Sequence, residues 1–206
     1  FLEEIQKPHE LVMVAKRAAS QSKVFPRPYF ALHPVADMPQ KIPPEMTLAI
    51  ARRESEFYPK VASPVGALGM MQVMPKTAKE VAKRLGLKFS SERMLSDWNY
   101  NAKIGIAYLE ELSERYKGNP ILIAAAYNAG PSRADRWIQL MGDPRNPKVD
   151  LVQWVESIPF EETRNYVMRV AESLPNYKVR LNNEPPASFY FYLKGSGFLP
   201  FSPNSE

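Results

Sequence analysis

The chain has 206 residues, 45% of them hydrophobic and 24% charged, proportions typical of one ordinary globular domain. Its net charge of +5 does not by itself distinguish nucleic acid, an anionic membrane and a carboxylate-bearing cell wall as partners. Because lysine and arginine never form a run of five, the sequence favours an evenly solvated basic surface. The lack of cysteine excludes disulfides and thiol catalysis, and two histidines argue against a histidine zinc site or a Ser-His-Asp triad, so we expect no cofactor and no metal.

Proline shapes the first predicted elements, since the chain contains 20 prolines that break helical patterns into short segments. Apolar spacing predicts a first helix over residues 3–23, followed by a loop over residues 25–43. Pro43 and Pro44 then begin a helix that runs to Glu54 or just beyond.

The middle and the end of the chain continue this pattern of short elements. Two glycines and two bounding prolines between residues 63 and 75 predict a tight turn or a small hairpin. Proline and glycine boundaries then predict further helices at 75–85, 101–116, 120–129, 131–141, 150–157 and 161–174. Residues 183–206 combine prolines, an aromatic run and glycines, and we expect them to wrap the domain surface.

Glu54 is the side chain whose local pattern points most directly to chemistry. Its helical neighbours at minus 3, 4 and 7 are Ala51, Ile50 and Thr47, which form the less polar face of the helix. A carboxylate there is buried or lies in a cleft, and desolvation raises its pKa, as a general acid near neutral pH requires. The alternative is a structural glutamate at a helix end, paired with a nearby basic side chain.

The other candidates each have an ordinary structural explanation when taken alone. Tyr127-Asn128 ends an alanine-rich helix, where polar side chains more often satisfy the helix terminus than a ligand. The methionines of residues 63–75 are typical of core filling, although a thioether also suits the wall of a sugar cleft. Glu156 fits an exposed helix surface, and the aromatic run 189–192 fits the covering of a core edge.

Four short segments carry recognisable motifs, and they are Ala51–Phe57, Ser63–Pro75, Ala126–Pro131 and Glu156–Val167. In this order they resemble the Glu-Ser, Gly-Leu-Met-Gln, Ala-Tyr-Asn and fourth motif blocks of the soluble lytic transglycosylase family. The likeness covers about residues 43–181, and four motifs in order are much more specific than one. Met70 departs from the common leucine, and the tail beyond about Asn182 has no counterpart.

The resemblance implies a mainly α, lysozyme-like fold of the α+β superfamily. It would contain many short helices and a very small β-hairpin or sheet near residues 63–75. It also implies three parts: an N-terminal helix and linker (1–42), a lytic transglycosylase catalytic domain (43–181), and a Pro/aromatic C-terminal tail packed on that domain (182–206).

The resemblance further implies a reaction with one catalytic carboxyl group. Glu54 would protonate the oxygen of the β-1,4 bond between N-acetylmuramic acid and N-acetylglucosamine. It would then deprotonate the C6 hydroxyl of the same muramic acid, which attacks C1 and closes a 1,6-anhydro ring. Because the nucleophile belongs to the substrate, no second catalytic carboxylate is required, unlike in most glycosidases.

The matching motif positions imply the remaining site residues. Substrate contacts are expected from Ser63, Met71, Gln72, Met74, Tyr127, Asn128, Glu156 and Tyr177. Tyr127 is also expected to hydrogen-bond near Glu54 and position it. Structural support is expected from Ser55 and Tyr166.

The expected partner is therefore the glycan strand of peptidoglycan, with no nucleic acid and no transmembrane segment, and the chain is expected to be a monomer. A periplasmic or cell-envelope location follows from the substrate, since no charged leader with an apolar region opens the chain. Two alternatives remain open: a goose-type lysozyme-like hydrolase of the same bond, and a non-catalytic peptidoglycan-binding module. A nucleic-acid binder has only the net charge in its favour.

Overall fold

The computed structural model describes residues 6–182 together with residues 188, 190, 193 and 194. Over this part of the chain the fold is mainly α-helical, which confirms the predicted class. A 3-10 helix at Pro34–Asp37 lies between the second and third α-helices. The α-helices are α1 (Pro8–Ala19), α2 (Pro26–Tyr29), α3 (Pro44–Ser55), α4 (Pro75–Arg84), α5 (Ser91–Ser96), α6 (Trp98–Tyr116), α7 (Pro120–Ala129), α8 (Pro131–Met141), α9 (Leu151–Glu156) and α10 (Glu161–Asn182).

Local sequence signals explain where most of these helices begin. Proline occupies the first turn of α1, α2, α3, α4, α7 and α8, where its missing N–H group costs no hydrogen bond. Polar caps start α6 and α9 and reinforce the start of α7. The side chains of Asp97, Asp150 and Asn119 accept backbone N–H bonds there.

The N-terminal prediction was only partly right. Helix α1 ends at Ala19 instead of residue 23, because the backbone turns at Ser22, whose φ is +60°. The predicted loop over residues 25–43 contains α2 and the 3-10 helix, since proline can begin a helical turn as well as end one. Helix α5 was not predicted at all.

Helix α10 is longer than predicted. It continues from Glu161 through Pro175 to Asn182, although the prediction ended it at residue 174. A proline inside a helix costs about 3 kcal/mol. Leu174 and Tyr177 are both fully buried on either side of the proline, so packing against the core offsets that cost.

Residues 62–73 form the only β-type pairing among the described residues, and it consists of two isolated antiparallel bridges, Ala62 with Leu68 and Leu68 with Val73. This agrees with the very small hairpin expected near residues 63–75. Gly69 is required there, because its φ is +74° and a Cβ atom would lie 2.1 Å from the Met94 carbonyl oxygen.

The side chain of Asn101, in α6, holds this hairpin in place by hydrogen bonds. Its side chain is fully buried, and its Oδ1 accepts a hydrogen bond from the Met71 backbone N–H at 2.9 Å. Its Nδ2 donates to the carbonyl oxygens of Leu68 and Met94. One amide therefore holds the hairpin and the end of α5 on the same helix.

The core lies where α3, α7 and α10 pack together, and residues 120–126 of α7 are buried on every face. Val12 of α1 belongs to the same hydrophobic cluster, so α1 packs on this core. The predicted division at residues 42 and 181 stays a prediction. Most of the predicted tail lies outside the described residues, but the Lys194 ammonium donates to the Val149 carbonyl at 2.9 Å.

Candidate active site

Glu54 lies in the last turn of α3, with its side chain partly buried where α3 packs on α10. The Tyr166 hydroxyl donates a hydrogen bond of 2.6 Å to Glu54 Oε1, and Tyr166 is itself 3% exposed. Burial raises the pKa of Glu54 from 4.5 to about 7. The hydrogen bond from Tyr166 and the charge of Arg53 both oppose this rise, while the negative charge of Glu162 adds to it.

Tyr127 hydrogen-bonds a backbone group and not the Glu54 carboxyl group itself. Its hydroxyl donates to the Met71 carbonyl oxygen at 2.7 Å, whereas the hydrogen bond to Glu54 comes from Tyr166. Tyr127 is still near the carboxylate, since burial first and then the charge of Glu54 raise the pKa of Tyr127 well above 10. Tyr166, expected only as structural support, is therefore the residue in direct contact with Glu54.

Glu162 was missed by the sequence analysis. It precedes Tyr166 by four residues in α10, so the two side chains lie one above the other on the same helix face. Glu162 is exposed, yet close enough for its charge to raise the pKa of Glu54. The sequence signal for Glu162 is its i, i+4 spacing from Tyr166. This spacing identifies Glu162 as a site residue only once Tyr166 is known to face Glu54.

Glu156 is not brought to this group. Its side chain is exposed at the end of α9, where it lines a groove with Met168 and Ala171 of α10. Its predicted substrate contact stays a prediction, and Glu162 is the carboxylate that the structure places beside Glu54.

The predicted side chains of the hairpin mostly serve its own backbone. Ser63 Oγ accepts from the Ala67 N–H at 2.9 Å. Gln72, with φ of +46°, donates from Nε2 to the Val61 and Gly69 carbonyl oxygens at 3.0 and 2.7 Å. Met74, in contrast, is 44% exposed and is available to a ligand.

Two further contacts tie the hairpin and α10 to the end of their neighbouring helices. Ser55 directly follows Glu54 in the chain, and its Oγ donates to the Met70 carbonyl oxygen at 2.7 Å. Thr163 Oγ1 donates to Asn128 Oδ1 at 2.7 Å, which joins the start of α10 to the end of α7. Asn128 is partly exposed, so a ligand contact through its amide nitrogen stays a prediction.

Two residues predicted to contact the substrate are fully buried here, so their substrate contacts stay predictions. Met71 has no exposed surface, because its side chain packs on Gly105 of α6, where a Cβ atom would lie 2.4 Å from the methionine sulfur. Tyr177 also has no exposed surface, and its ring meets Phe30 edge to face at 5.7 Å. Tyr177 follows Tyr166 by three helical turns, so it lies on the same face of α10 but about 16 Å further along.

Among residues 6–182 and the few described after them, no group of three or more His, Cys, Asp or Glu side chains is arranged to hold a metal ion. No helix in that same part of the chain is long and apolar enough to cross a membrane.

Comparison with known proteins gives concordant matches. The family model described as "Transglycosylase SLT domain" matches residues 35–148. The chain is 40% identical over 162 residues to the soluble lytic murein transglycosylase of Escherichia coli strain K12. The matched region covers 78% of this chain and 24% of that protein.

Two crystal structures are also similar to the chain. The 70 kDa soluble lytic transglycosylase of Escherichia coli superposes with a TM-score of 0.78 at 33% identity, over 88% of this chain and 29% of that one. An inactive glutamate-to-glutamine mutant of lytic transglycosylase Slt from Pseudomonas aeruginosa gives a TM-score of 0.62 at 37% identity, over 69% and 22% of the two chains.

The chain thus spans about a quarter of the length of these soluble relatives. The likeness in structure confirms the predicted lysozyme-like, mainly helical fold. Since the family model covers more than half of the residues, the chain belongs to the transglycosylase SLT domain family.

Proposed function

We propose that this chain is a peptidoglycan lytic transglycosylase that cleaves the β-1,4 bond between N-acetylmuramic acid and N-acetylglucosamine, with Glu54 as its only acid/base group. The observation that carries the proposal is the burial of Glu54 beside Tyr166, which raises the pKa of the carboxyl group to about 7. The similar Pseudomonas enzyme loses activity by a glutamate-to-glutamine change, which is consistent with one decisive carboxyl group.

The raised pKa supplies the acid for the first step. With a pKa of about 7, half of the Glu54 carboxyl groups are protonated at pH 7, whereas an ordinary glutamate would be protonated in about one molecule in 300. Glu54 donates its proton to the glycosidic oxygen as the bond from C1 to that oxygen breaks. Tyr166 holds the Oε1 atom at 2.6 Å and so fixes which oxygen faces the tyrosine and which faces the substrate.

The second step returns a proton to the same group. The Glu54 carboxylate removes the proton from the C6 hydroxyl of the muramic acid, and O6 bonds to C1 to close the 1,6-anhydro ring. Glu162 carries a negative charge near Glu54 and is solvent-accessible, so it is suited to stabilise the positive charge that develops at C1. Met74, Asn128, Ser63 and Gln72 are proposed to contact the glycan around this centre.

The test is the chemical form of the products. Sacculi digested with the full chain are expected to release muropeptides with 1,6-anhydro ends, one water lighter than hydrolysis products in mass spectrometry. Reducing ends instead would indicate the goose-type hydrolase, and binding to sacculi without any release would indicate a non-catalytic module.

A variant pair tests the role of Glu54. Glu54→Gln is expected to keep glycan binding and to lose cleavage by several orders of magnitude. Glu161→Gln is the matched control, because Glu161 is an exposed glutamate in the first turn of α10. Equal clearance of sacculi by the two variants would reject Glu54 as the catalyst.

We also propose that the chain acts as a monomer in the periplasm or cell envelope of a bacterium, where this substrate is found. Sedimentation of the purified chain and fractionation of the source cells test these two points.

A further inference from the structure

The chain leaves the catalytic helix through an unusual backbone conformation. Glu56 has φ of +50° and Phe57 has φ of +67°, so two consecutive residues that are not glycine lie in the left-handed region. Side chains rarely adopt this conformation, because the Cβ atom comes too close to the backbone carbonyl. Such residues persist only where the surrounding structure compensates for the strain.

This conformation closes the last turn of α3, which contains Glu54. The backbone N–H groups of Glu56 and Phe57 donate to the carbonyl oxygens of Arg52 and Ala51, at 2.9 and 3.5 Å. The bond from Glu56 is the one that defines a left-handed helix cap, and it satisfies the Arg52 carbonyl of the last turn. The bond from Phe57 is a second, longer contact, to a carbonyl that Ser55 Oγ also approaches at 3.5 Å. If the cap opened, the turn that carries Glu54 would lose those bonds.

Helix α1 holds Glu56 in this conformation from two sides. His9 Nδ1–H donates to the Glu56 carbonyl oxygen at 2.9 Å, and Lys16 Nζ lies 2.6 Å from Glu56 Oε1. His9 and Lys16 are seven residues apart, which is two helical turns, so they lie on the same face of α1. Arg52 Nε adds a second charged contact, 3.7 Å from Glu56 Oε2.

Phe57 is held in place by packing. Its side chain is 2% exposed, and the His33 ring stacks on it at 5.3 Å with an angle of 18° between the planes. The residues that contact Glu56 and Phe57 in this way, apart from Arg52, are His9, Lys16 and His33. All three precede position 35, where the match to the family model begins.

We infer that His9 and Lys16 of α1 are positioning residues for Glu54, because they hold the strained cap at Glu56 that keeps the last turn of α3 closed. Helix α1 is then part of the support of the active site and not only a linker. The inference deepens the proposed function, but it concerns the burial of Glu54 and can be tested without the glycan.

The first experiment replaces Lys16 in the full chain. Lys16→Met removes the charge that holds Glu56, Lys16→Arg keeps it, and Arg17→Met makes the same change in charge at the next, exposed position of α1. Lys16→Met is expected to lower the rate of sacculus solubilisation about fivefold, as for a partly buried ion pair near the upper end of its usual range. Lys16→Arg and Arg17→Met are expected to match the parent.

The pKa of Glu54 separates positioning from a general loss of stability. A frayed last turn would hydrate the carboxyl group, so Lys16→Met is expected to move its pKa from about 7 toward 4.5. The charged and titratable neighbours of Glu54 are Arg53 on its own helix, Glu162 and Tyr166 on α10, and Tyr127 on α7, and none of them is changed. NMR titration of the Glu54 carboxyl carbon measures this pKa even if the chain were to cleave no glycan.

The second experiment relieves the strain itself. Glycine adopts a positive φ without steric cost, so Glu56→Gly keeps the cap while removing the clamped carboxylate, whereas Glu56→Ala removes the carboxylate and keeps the strain. Glu56→Gly is expected to be at least threefold more active than Glu56→Ala. Lys16→Met is expected to have no further effect in the Glu56→Gly background.

Three results would overturn the inference. They are equal activity of Lys16→Met and Arg17→Met, an unchanged Glu54 pKa in Lys16→Met, and the same loss from Lys16→Met in the parent and in the Glu56→Gly background. Products with reducing ends would refute the proposed reaction, but would leave the NMR result, and with it the positioning role, intact.

Discussion

Replacing Glu54 with glutamine is expected to stabilise the folded chain at neutral pH, although it removes the catalytic group. Burial raises the pKa of this carboxyl group from 4.5 to about 7. At 1.36 kcal/mol for each pH unit, ionised Glu54 disfavours the folded state by about 3 kcal/mol. Glutamine has nearly the same volume, carries no charge, and its oxygen can still accept the hydrogen bond from Tyr166.

The sign and the pH range follow from the two pKa values. Below pH 4.5 the carboxyl group is protonated in both the folded and the unfolded state, so Glu54→Gln changes little. Between pH 4.5 and about 7 only the unfolded state gives up the proton, and the advantage of the variant grows with pH. Above about pH 7 both states are ionised, and the advantage stays near 3 kcal/mol.

Urea unfolding of both proteins at about pH 4, 5.5 and 8 measures this difference directly. Glu161→Gln serves as the control, since an exposed glutamate is expected to change stability by less than about 0.5 kcal/mol at any of these pH values. If Glu54→Gln were no more stable than the parent at the highest pH, the carboxyl group would have to be hydrated, and the argument for its raised pKa would be refuted.

Two neighbours of Glu54 are expected to shift the alkaline fall of kcat/KM in opposite directions. Tyr166→Phe removes a hydrogen bond that lowers the pKa of Glu54, so the fall moves to higher pH, whereas Glu162→Gln removes a charge that raises it, so the fall moves to lower pH. Shifts in the same direction would contradict the assigned causes. Asn101→Ala is expected to cost about 2–4 kcal/mol in denaturant unfolding, because it leaves the buried Met71 N–H without its partner and removes one hydrogen bond each from the Leu68 and Met94 carbonyl oxygens. A loss below about 1 kcal/mol would show that this amide does not hold the hairpin.

Helix starts were the most predictable part of the fold, because their signals are local. Pro120 with the Asn119 cap, and Pro131 after Gly130, mark α7 and α8 within a few residues. The course of α10 through Pro175 was not predictable in this way, because the compensating energy comes from burial against α3 and α7. A local rule gives the cost of the proline but not the packing that offsets it.

The same difference between local signals and long-range packing applies to the candidate site. Glu54 could be predicted from its own helix, since the residues at minus 3, 4 and 7 already show that it lies on the apolar face. Its hydrogen-bond partner could not be predicted, because Tyr166 lies 112 residues further along the chain and only the packing of α10 on α3 brings the two together. The same distance in sequence explains why Tyr166 was expected only as structural support.

The position of residues along α10 decides which side chains can serve the site. Glu162, Tyr166 and Tyr177 all lie on nearly the same face of this helix, but only the first two act on the Glu54 carboxyl group. Glu156 precedes α10 and lines a separate groove. Because Glu156 and Glu162 both lie in the fourth motif block, the motif alone does not tell them apart. A motif gives the order of residues, and the depth along a packed helix determines whether a carboxylate such as Glu162 can influence the proton on Glu54.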